Sequence, residues 1–365
     1  MSFIGDIALK EKDFTVIEIV VVLAIVVQAV FVLPCRADFP SFYYAAKLLT
    51  LGRAPEIYDE NALVSLACDD GVKPYPYIYN PFFALLVVPL TAFSYRTAYW
   101  LYFLLQIILL WAFMRILRRE FFDNNPLQFL FVLFAFTFSG SSVKSLAYGQ
   151  SNIVVAFLWL LSLHLMRKNR LTSMLALLVS TLIKLTPAVS VIALIATKKW
   201  KLLGYFILFL AVLILFSLLV VGLDTWSAFL SGAPSFTRRF VSETGFRRLF
   251  ELLKLPRILI SYGWIVVPLA LMFASFPRIK SLKHGWAYSG WLIPMFSPLV
   301  WAHRFLPTFV PFAFFGQKIR NRSLFVAFNI FSFLAVVRSP FVGLSFLRIV
   351  FIASAVIIAV FWAEK

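Results

Sequence analysis

Apolar runs long enough to form membrane helices recur almost from end to end of this chain, separated by short polar or basic stretches. About 20 apolar residues cover the ~30 Å hydrocarbon core of a bilayer. The pattern predicts spans over 14–33, Asn80–Phe93, Thr97–Leu117, Pro126–Lys144, Ile153–Met166, Leu171–Thr197, Leu202–Val221, Arg257–Phe276, Gly285–Val300, Phe305–Gly316, Leu324–Val337 and Phe341–Trp362. The expected fold class is all-α: a polytopic membrane protein of roughly 12 transmembrane helices in one integral-membrane domain over residues 1–365. Two polar interruptions are long, 34–79 and 222–256. In the first, Ser41–Leu51 stopped by Gly52, and then Asn61–Ala67, read as short helices along the membrane surface.

Two features break the apolar pattern inside the predicted bundle. Lys184-Leu185-Thr186-Pro187 falls at the midpoint of the sixth span, where proline kinks or breaks a helix and lysine must face a polar interior or snorkel. The polar patches Ser139–Lys144 and Tyr148–Asn152 interrupt the fourth and fifth spans. Irregular polar backbone at that depth is tolerated only where it is buried in protein or lines a cavity.

Composition agrees with a membrane protein: 62% of residues are hydrophobic and 18% aromatic. The net charge of +18 does not point to nucleic acid, because the cations sit in short clusters between spans, at 115–119, 167–170, 198–201, 278–283 and 318–322. Such clusters orient membrane proteins and meet anionic headgroups. With 12 spans and both termini inside, the clusters at 198–201, 278–283 and 318–322 lie inside, while 34–79, 222–256 and the turn around His303 lie outside. The clusters at 115–119 and 167–170 then fall on the wrong side. Either a segment between the second and sixth spans is re-entrant, or those arginines face acidic lipid outside. Met1–Asp13 leads into the first span with no small-residue cleavage site, which reads as an uncleaved helix. Cys35 and Cys68 both fall in the long loop, as a disulfide or as two free thiols.

Six of the sixteen acidic residues, Asp38, Glu56, Asp59, Glu60, Asp69 and Asp70, also lie in that loop. Asp38, about one turn past the first span, is placed either to act as a general base or to cap the helix that follows. His303 and Arg304, at a predicted span end, suit a phosphate or an interfacial Trp-His-Arg anchor. Arg238, Arg239, Arg247 and Arg248 in the second loop suit a leaving phosphate or lipid headgroups. His164 and His284 carry no functional pattern. No Cys/His clustering, glycine-rich phosphate loop or Ser/His/Asp spacing is present, so no metal and no cofactor is expected.

Five motifs in order resemble glycosyltransferase family 87, whose members include the mycobacterial mannosyltransferase of phosphatidylinositol-mannoside synthesis. Asp38 with Tyr43-Tyr44-Ala45-Ala46, Gly52, Pro55, Tyr58 and Asp59 is similar to the first-loop signature. Tyr77-Ile78-Tyr79-Asn80-Pro81 resembles the Tyr-Pro-Pro entry to the second span, and Gly149-Gln150-Ser151-Asn152 the Gly-Gln-x-Asn turn. Lys184-Leu185-Thr186-Pro187 resembles the Lys-x-x-Pro break, and Ser297-Pro298 with Trp301 and His303 the Ser-Pro-x-x-Trp-x-His motif. Asn80 stands where proline is usual, and Arg304 where a second histidine is common.

The resemblance implies a C-type glycosyltransferase fold, with Asp38 matching the catalytic aspartate and His303 the functional histidine. The reading built on it is transfer of a hexose, mannose first, from a polyprenyl-phosphate sugar to a lipid or glycan hydroxyl outside the cell membrane. One essential carboxylate suits an inverting reaction. Tyr43, Tyr44, Gln150, Asn152, Lys184, Arg238, Arg239, His303 and Arg304 are the expected substrate-binding residues. Arabinofuranosyl or glucosyl transfer by the same mechanism, a transporter or flippase of a lipid-linked sugar, and a non-catalytic envelope scaffold are the alternatives.

Overall fold

The computed structural model describes residues 11–32, 38–122, 126–239, 246–296, 302–319, 321–337, 350–352, 354–355 and 357. Among them the regular structure is helical, apart from an isolated bridge between Ser139 and Val337. In chain order the helices are α1 (Glu11–Phe31), α2 (Phe39–Thr50), α3 (Glu60–Ala67), α4 (Pro81–Val87), α5 (Tyr95–Phe121), α6 (Pro126–Thr137), α7 (Gly140–Ala147), α8 (Asn152–Leu165) and α9 (Arg170–Ile183). Then come α10 (Val191–Ala196), α11 (Trp200–Val221), α12 (Leu223–Arg239), α13 (Phe246–Leu252), α14 (Arg257–Ser275), α15 (Leu282–Met295), α16 (Phe309–Gly316) and α17 (Arg322–Val336). Among the described residues three segments are long and apolar enough to cross a membrane: Asp13–Phe31, Tyr95–Phe121 and Trp200–Val221. Eight further apolar helical stretches among the described residues have 10–17 residues, so the structure does not reproduce a simple array of twelve long spans.

The first loop folds as its composition predicts, as short helices over the end of the bundle. Its aromatic face forms an apolar cluster with Phe39, Phe42, Tyr43 and Tyr44 of α2 and Ile57, Leu63 and Tyr77. The second predicted span, Asn80–Phe93, does not cross. It starts at Asn80, whose side-chain oxygen accepts from the Phe83 amide at 3.3 Å and whose Nδ2 donates to the Leu182 carbonyl. It ends at Phe93, whose carbonyl takes the Tyr43 hydroxyl at 2.8 Å. Both ends therefore lie beside the loop, and α4 with the 3₁₀ turn Val88–Ala92 packs under α2.

The predicted sixth span is a hairpin. α9 runs antiparallel to α8, with Ser173 Oγ donating to the Ser162 carbonyl (2.6 Å) and Ser180 Oγ to the Val155 carbonyl (2.9 Å). Such hydrogen bonds supply interhelical attraction where lipid gives no hydrophobic drive. At Lys184 the backbone turns extended (φ −142°, ψ 129°). The chain then returns through the 3₁₀ turn Thr186–Ser190 and α10, with Trp159 Nε1 donating to Ser190 Oγ at 2.7 Å. α10 packs tightly on α15: a Cβ on Gly285 would come within 2.1 Å of the Ala193 Cβ.

These two corrections move the basic clusters. α5 begins beside the loop, where Tyr95 stacks on Tyr44, and ends where Arg118 Nε meets Glu18 of α1 at 2.8 Å. At that same end His164 Nδ1 and Lys283 Nζ reach Glu120, at 2.8 and 3.4 Å, and Lys318 Nζ lies 2.9 Å from His284 Nε2. Cations from 115–119, 198–201, 278–283 and the start of 318–322, with Arg167, thus gather on one face, opposite the loop. With Asn80–Phe93 returning to the loop and Leu171–Thr197 doubling back, the clusters at 115–119 and 167–170 share a face with the others, which agrees with the re-entrant alternative. Cys68 is exposed and unbridged, and Cys35 lies outside the described residues.

Glu18 is fully buried between Arg118 and Arg115, so removing it leaves buried positive charge uncompensated. Glu18→Ala is expected to cost about 3 kcal/mol, read as a clear fall in apparent Tm in detergent, whereas Arg53→Ala, which breaks the exposed Arg53–Glu56 pair, leaves Tm unchanged.

Candidate active site

Asp38 stands at the N-cap position of α2, yet its carboxylate makes no capping hydrogen bond to that helix. Instead Gln150 Nε2 donates to Asp38 Oδ2. The Asp38 amide donates to the Tyr148 carbonyl at 2.8 Å, so both its backbone and its side chain are tied to the turn between α7 and α8. That turn is set by Gly149, at φ +63°, the left-handed region that L side chains rarely adopt. Glycine is needed there twice over, because an added Cβ would also lie 2.8 Å from the Phe39 Cβ.

From Gln150 the contacts continue into the bundle. Tyr79 Oη donates to Gln150 Oε1 at 3.4 Å and accepts from Ser151 Oγ at 3.4 Å. Lys184 Nζ donates to Asn152 Oδ1 and sits 5.5 Å from the centre of the Tyr79 ring. Tyr102 Oη reaches the Gln150 carbonyl at 3.5 Å, and the Tyr102 ring stacks on Phe39 at 4.8 Å. A carboxylate, an amide, a phenol and an ammonium from four distant parts of the chain thus share one constellation. The Asn152 amide nitrogen is buried with no hydrogen-bond partner among the described residues. A buried donor left unmade costs about 1–3 kcal/mol, a cost that a ligand oxygen would remove.

Four of the residues singled out in the sequence, Asp38, Gln150, Asn152 and Lys184, are brought together in this way. Tyr43 and Tyr44 are not part of the group. Both are buried, with Tyr43 Oη on the Phe93 carbonyl and Tyr44 Oη on Asp70 Oδ2 at 2.5 Å. Burial, reinforced by that bond to Asp70, pushes the Tyr44 hydroxyl well above the usual phenol range, so it remains a donor. Their double-tyrosine pattern belongs to the loop's core.

His303 and Arg304 open the 3₁₀ turn Ala302–Thr308, which packs on α7 and α8, the two helices that flank the Gly149 turn. Their side chains, and residues 297–301, lie outside the described positions. Arg238 and Arg239 close α12, which packs on the first loop through Phe229 and Tyr58, with ring centres 6.0 Å apart; the arginine side chains are not described.

Tyr79 escaped the residue-by-residue reading although it lies in a quoted motif, and Asn80 was noted only as a departure from the usual proline. Tyr79 joins Gln150 to Lys184, and its carbonyl takes the Tyr58 hydroxyl at 2.8 Å. Asn80, in the place where proline is usual, caps α4 and ties it to the top of α9. The offset of Tyr77 and Tyr79, two apart ahead of Asn80-Pro81, was the available signal: Tyr77 donates to the Asn80 carbonyl at 2.9 Å, and Tyr79 faces the polar group.

The chain matches the sequence model of Glycosyltransferase family 87 over residues 77–298. That stretch contains Tyr79, Gln150, Asn152 and Lys184; Asp38 and His303 lie beyond its two ends. No curated protein and no solved structure matches the chain significantly. A helical, apolar chain with a polar constellation at one end of its bundle accords with the family found, and since the match spans more than half of its length, the protein belongs to glycosyltransferase family 87, a membrane glycosyltransferase.

Proposed function

We propose that the protein transfers a hexose, mannose first, from a polyprenyl-phosphate sugar to a hydroxyl of a lipid or glycan on the extracytoplasmic side of the cell membrane, with Asp38 as general base. The observation that carries this reading is the Asp38 carboxylate, released from capping and oriented by Gln150 beside Asn152 and Lys184. The Asp38 carboxylate removes the acceptor hydroxyl proton as that oxygen attacks the anomeric carbon. The bond from that carbon to the carrier phosphate breaks, and polyprenyl phosphate departs as an anion. Single displacement inverts the anomeric centre, and it needs no second carboxylate as nucleophile.

Lys184, with its charge held at the rim of the constellation by Asn152 and the Tyr79 ring, holds the charged phosphate of the bound donor. The unpartnered Asn152 amide is a donor for the sugar or the phosphate. His303 and Arg304, on the turn beside α7 and α8, are assigned to the same phosphate, and Arg238 and Arg239 to its approach. A membrane-borne donor is supported by an apolar cavity of about 530 Å3 between Leu49, Pro55, Leu85 and Val88 on one side and the exposed end of α11, Leu219 to Gly222, on the other. It opens beside the outer segment of α2, where an isoprenoid chain can enter from lipid. The gathering of cations on the far face supports an extracytoplasmic Asp38, since Lys and Arg concentrate on the cytoplasmic side.

With purified protein in lipid, short-chain polyprenyl-phosphate mannose and an envelope-lipid acceptor, Asp38→Asn is expected to lower kcat by about 10²-fold or more while donor binding persists. A transporter or scaffold would show no transfer with either protein, and that result would sink the proposal once arabinose and glucose donors had also failed.

Lys184→Gln is expected to act differently, raising KM for the donor by roughly tenfold with a smaller effect on kcat. Equal losses in kcat for Lys184→Gln and Asp38→Asn would remove Lys184 from phosphate binding.

A further inference from the structure

On the face opposite Asp38 a second polar concavity, of about 510 Å3, is lined by Arg167, Lys198, Lys199, Lys280 and Lys283, with Glu120 the one carboxylate among the described lining residues. Its distance from the first site follows from α5. Tyr95 stacks at the loop, Glu120 lines the pocket, and 25 residues of helix at 1.5 Å each put them about 38 Å apart. Glu120 pairs with Lys283 of the pocket and with His164, so it offsets one of the five lining cations and leaves the lining strongly positive.

Orientation in the membrane requires only that cations lie on one side. Here cations from three remote stretches converge on one cavity, with apolar Leu163, Met166 and Ile279 in its walls. The α15 N-terminus, capped by Ser281, also opens into it and adds the positive end of a helix dipole. Arg167, Lys198, Lys199 and Lys280 are exposed, so solvent screens part of their mutual repulsion, and a bound anion would relieve the rest. We infer that the pocket holds a phosphate group, carried either by an anionic lipid headgroup or by a soluble phosphate ester.

The pocket is built on the elements that carry the first site. α8 runs from Asn152 to Leu163 and Met166, and the α9–α10 hairpin runs from Lys184 to Lys198 and Lys199. The binding event itself is independent of the transferase reading, and its test needs no turnover.

Lys198 offers a clean substitution. It sits just past α10 at φ +55°, with its amide and that of Lys199 closing on the Ile195 and Leu194 carbonyls, at 3.0 and 2.8 Å. Glycine favours that left-handed position, so Lys198→Gly removes a charge without stressing the fold. Full-length protein in neutral detergent would be compared by native mass spectrometry after exposure to phosphatidylglycerol or phosphatidylcholine, and by thermal shift with diphosphate against chloride at equal ionic strength. The variant is Lys198→Gly with Lys280→Gln. The charge-matched control is Lys73→Gln with Arg96→Gln, exposed on the Asp38 side.

Selective retention of phosphatidylglycerol, weakened about tenfold or more in the pocket variant and unchanged in the control, identifies a lipid headgroup. A diphosphate shift lost in the same variant, with no lipid preference, identifies a soluble ester. Absence of both preferences, or equal behaviour of pocket and control variants, overturns the site; unchanged Tm of both variants without ligand shows that the fold is intact.

Discussion

Lipid offers no hydrogen bonds, so wherever this chain breaks a helix inside the bundle the protein itself must satisfy the freed backbone. The break between α7 and α8 shows how that requirement is met. Gln150 N donates to the Ser145 carbonyl at 2.9 Å, Gly149 N to the Leu146 carbonyl at 3.2 Å, and the Tyr148 carbonyl accepts from the Asp38 amide at 2.8 Å. The last of these bonds is the one on which the rest depends. It closes the turn, and in doing so it carries Asp38 to Gln150, so the interaction that makes the break tolerable also builds the constellation.

The α9–α10 hairpin obeys the same constraint at Lys184, where Asn152 receives the ammonium and the Leu182 carbonyl receives Asn80. Two backbone interruptions are thereby packed against each other beneath a lid of aromatic side chains from α2. Irregular polar backbone, which is expensive at this depth, is concentrated where the functional side chains stand.

Much of this was legible in the sequence because breakers and polar patches are local signals. Gly149, Pro187 and the residues between them mark interruptions whatever the tertiary context. The direction of the chain after each interruption was not legible. Leu171–Thr197 has enough apolar residues for one kinked span or for two short limbs, and hydropathy is the same for both. Only the pairing of Ser173 with Ser162 and of Trp159 with Ser190 separates them. Asn80–Phe93 was misread for the same reason, since a buried surface helix and a membrane span share a composition. Tyr43 and Tyr44 show the converse difficulty: a tyrosine pair suits a sugar or a core equally well, and the choice rests on where Phe93 and Asp70 lie. Asp38 resolved the other way. Its place before a helix invited a capping role, but the distant Gln150 claims its side chain.

The hairpin also bears on how the chain is made. α9, with 14 residues, is about 21 Å long, well short of the ~30 Å hydrocarbon core. Its return limb is shorter still and carries the half-buried turn of Lys184 at its head. Neither limb is a good substrate for insertion by itself. α8 precedes them from the ribosome and supplies the serine and tryptophan partners for both, whereas α15, which closes the other side, emerges some 80 residues later. The hairpin therefore has to shelter against α8 through that interval, which makes residues 170–197 the segment whose fate during synthesis rests most on the order in which its neighbours arrive.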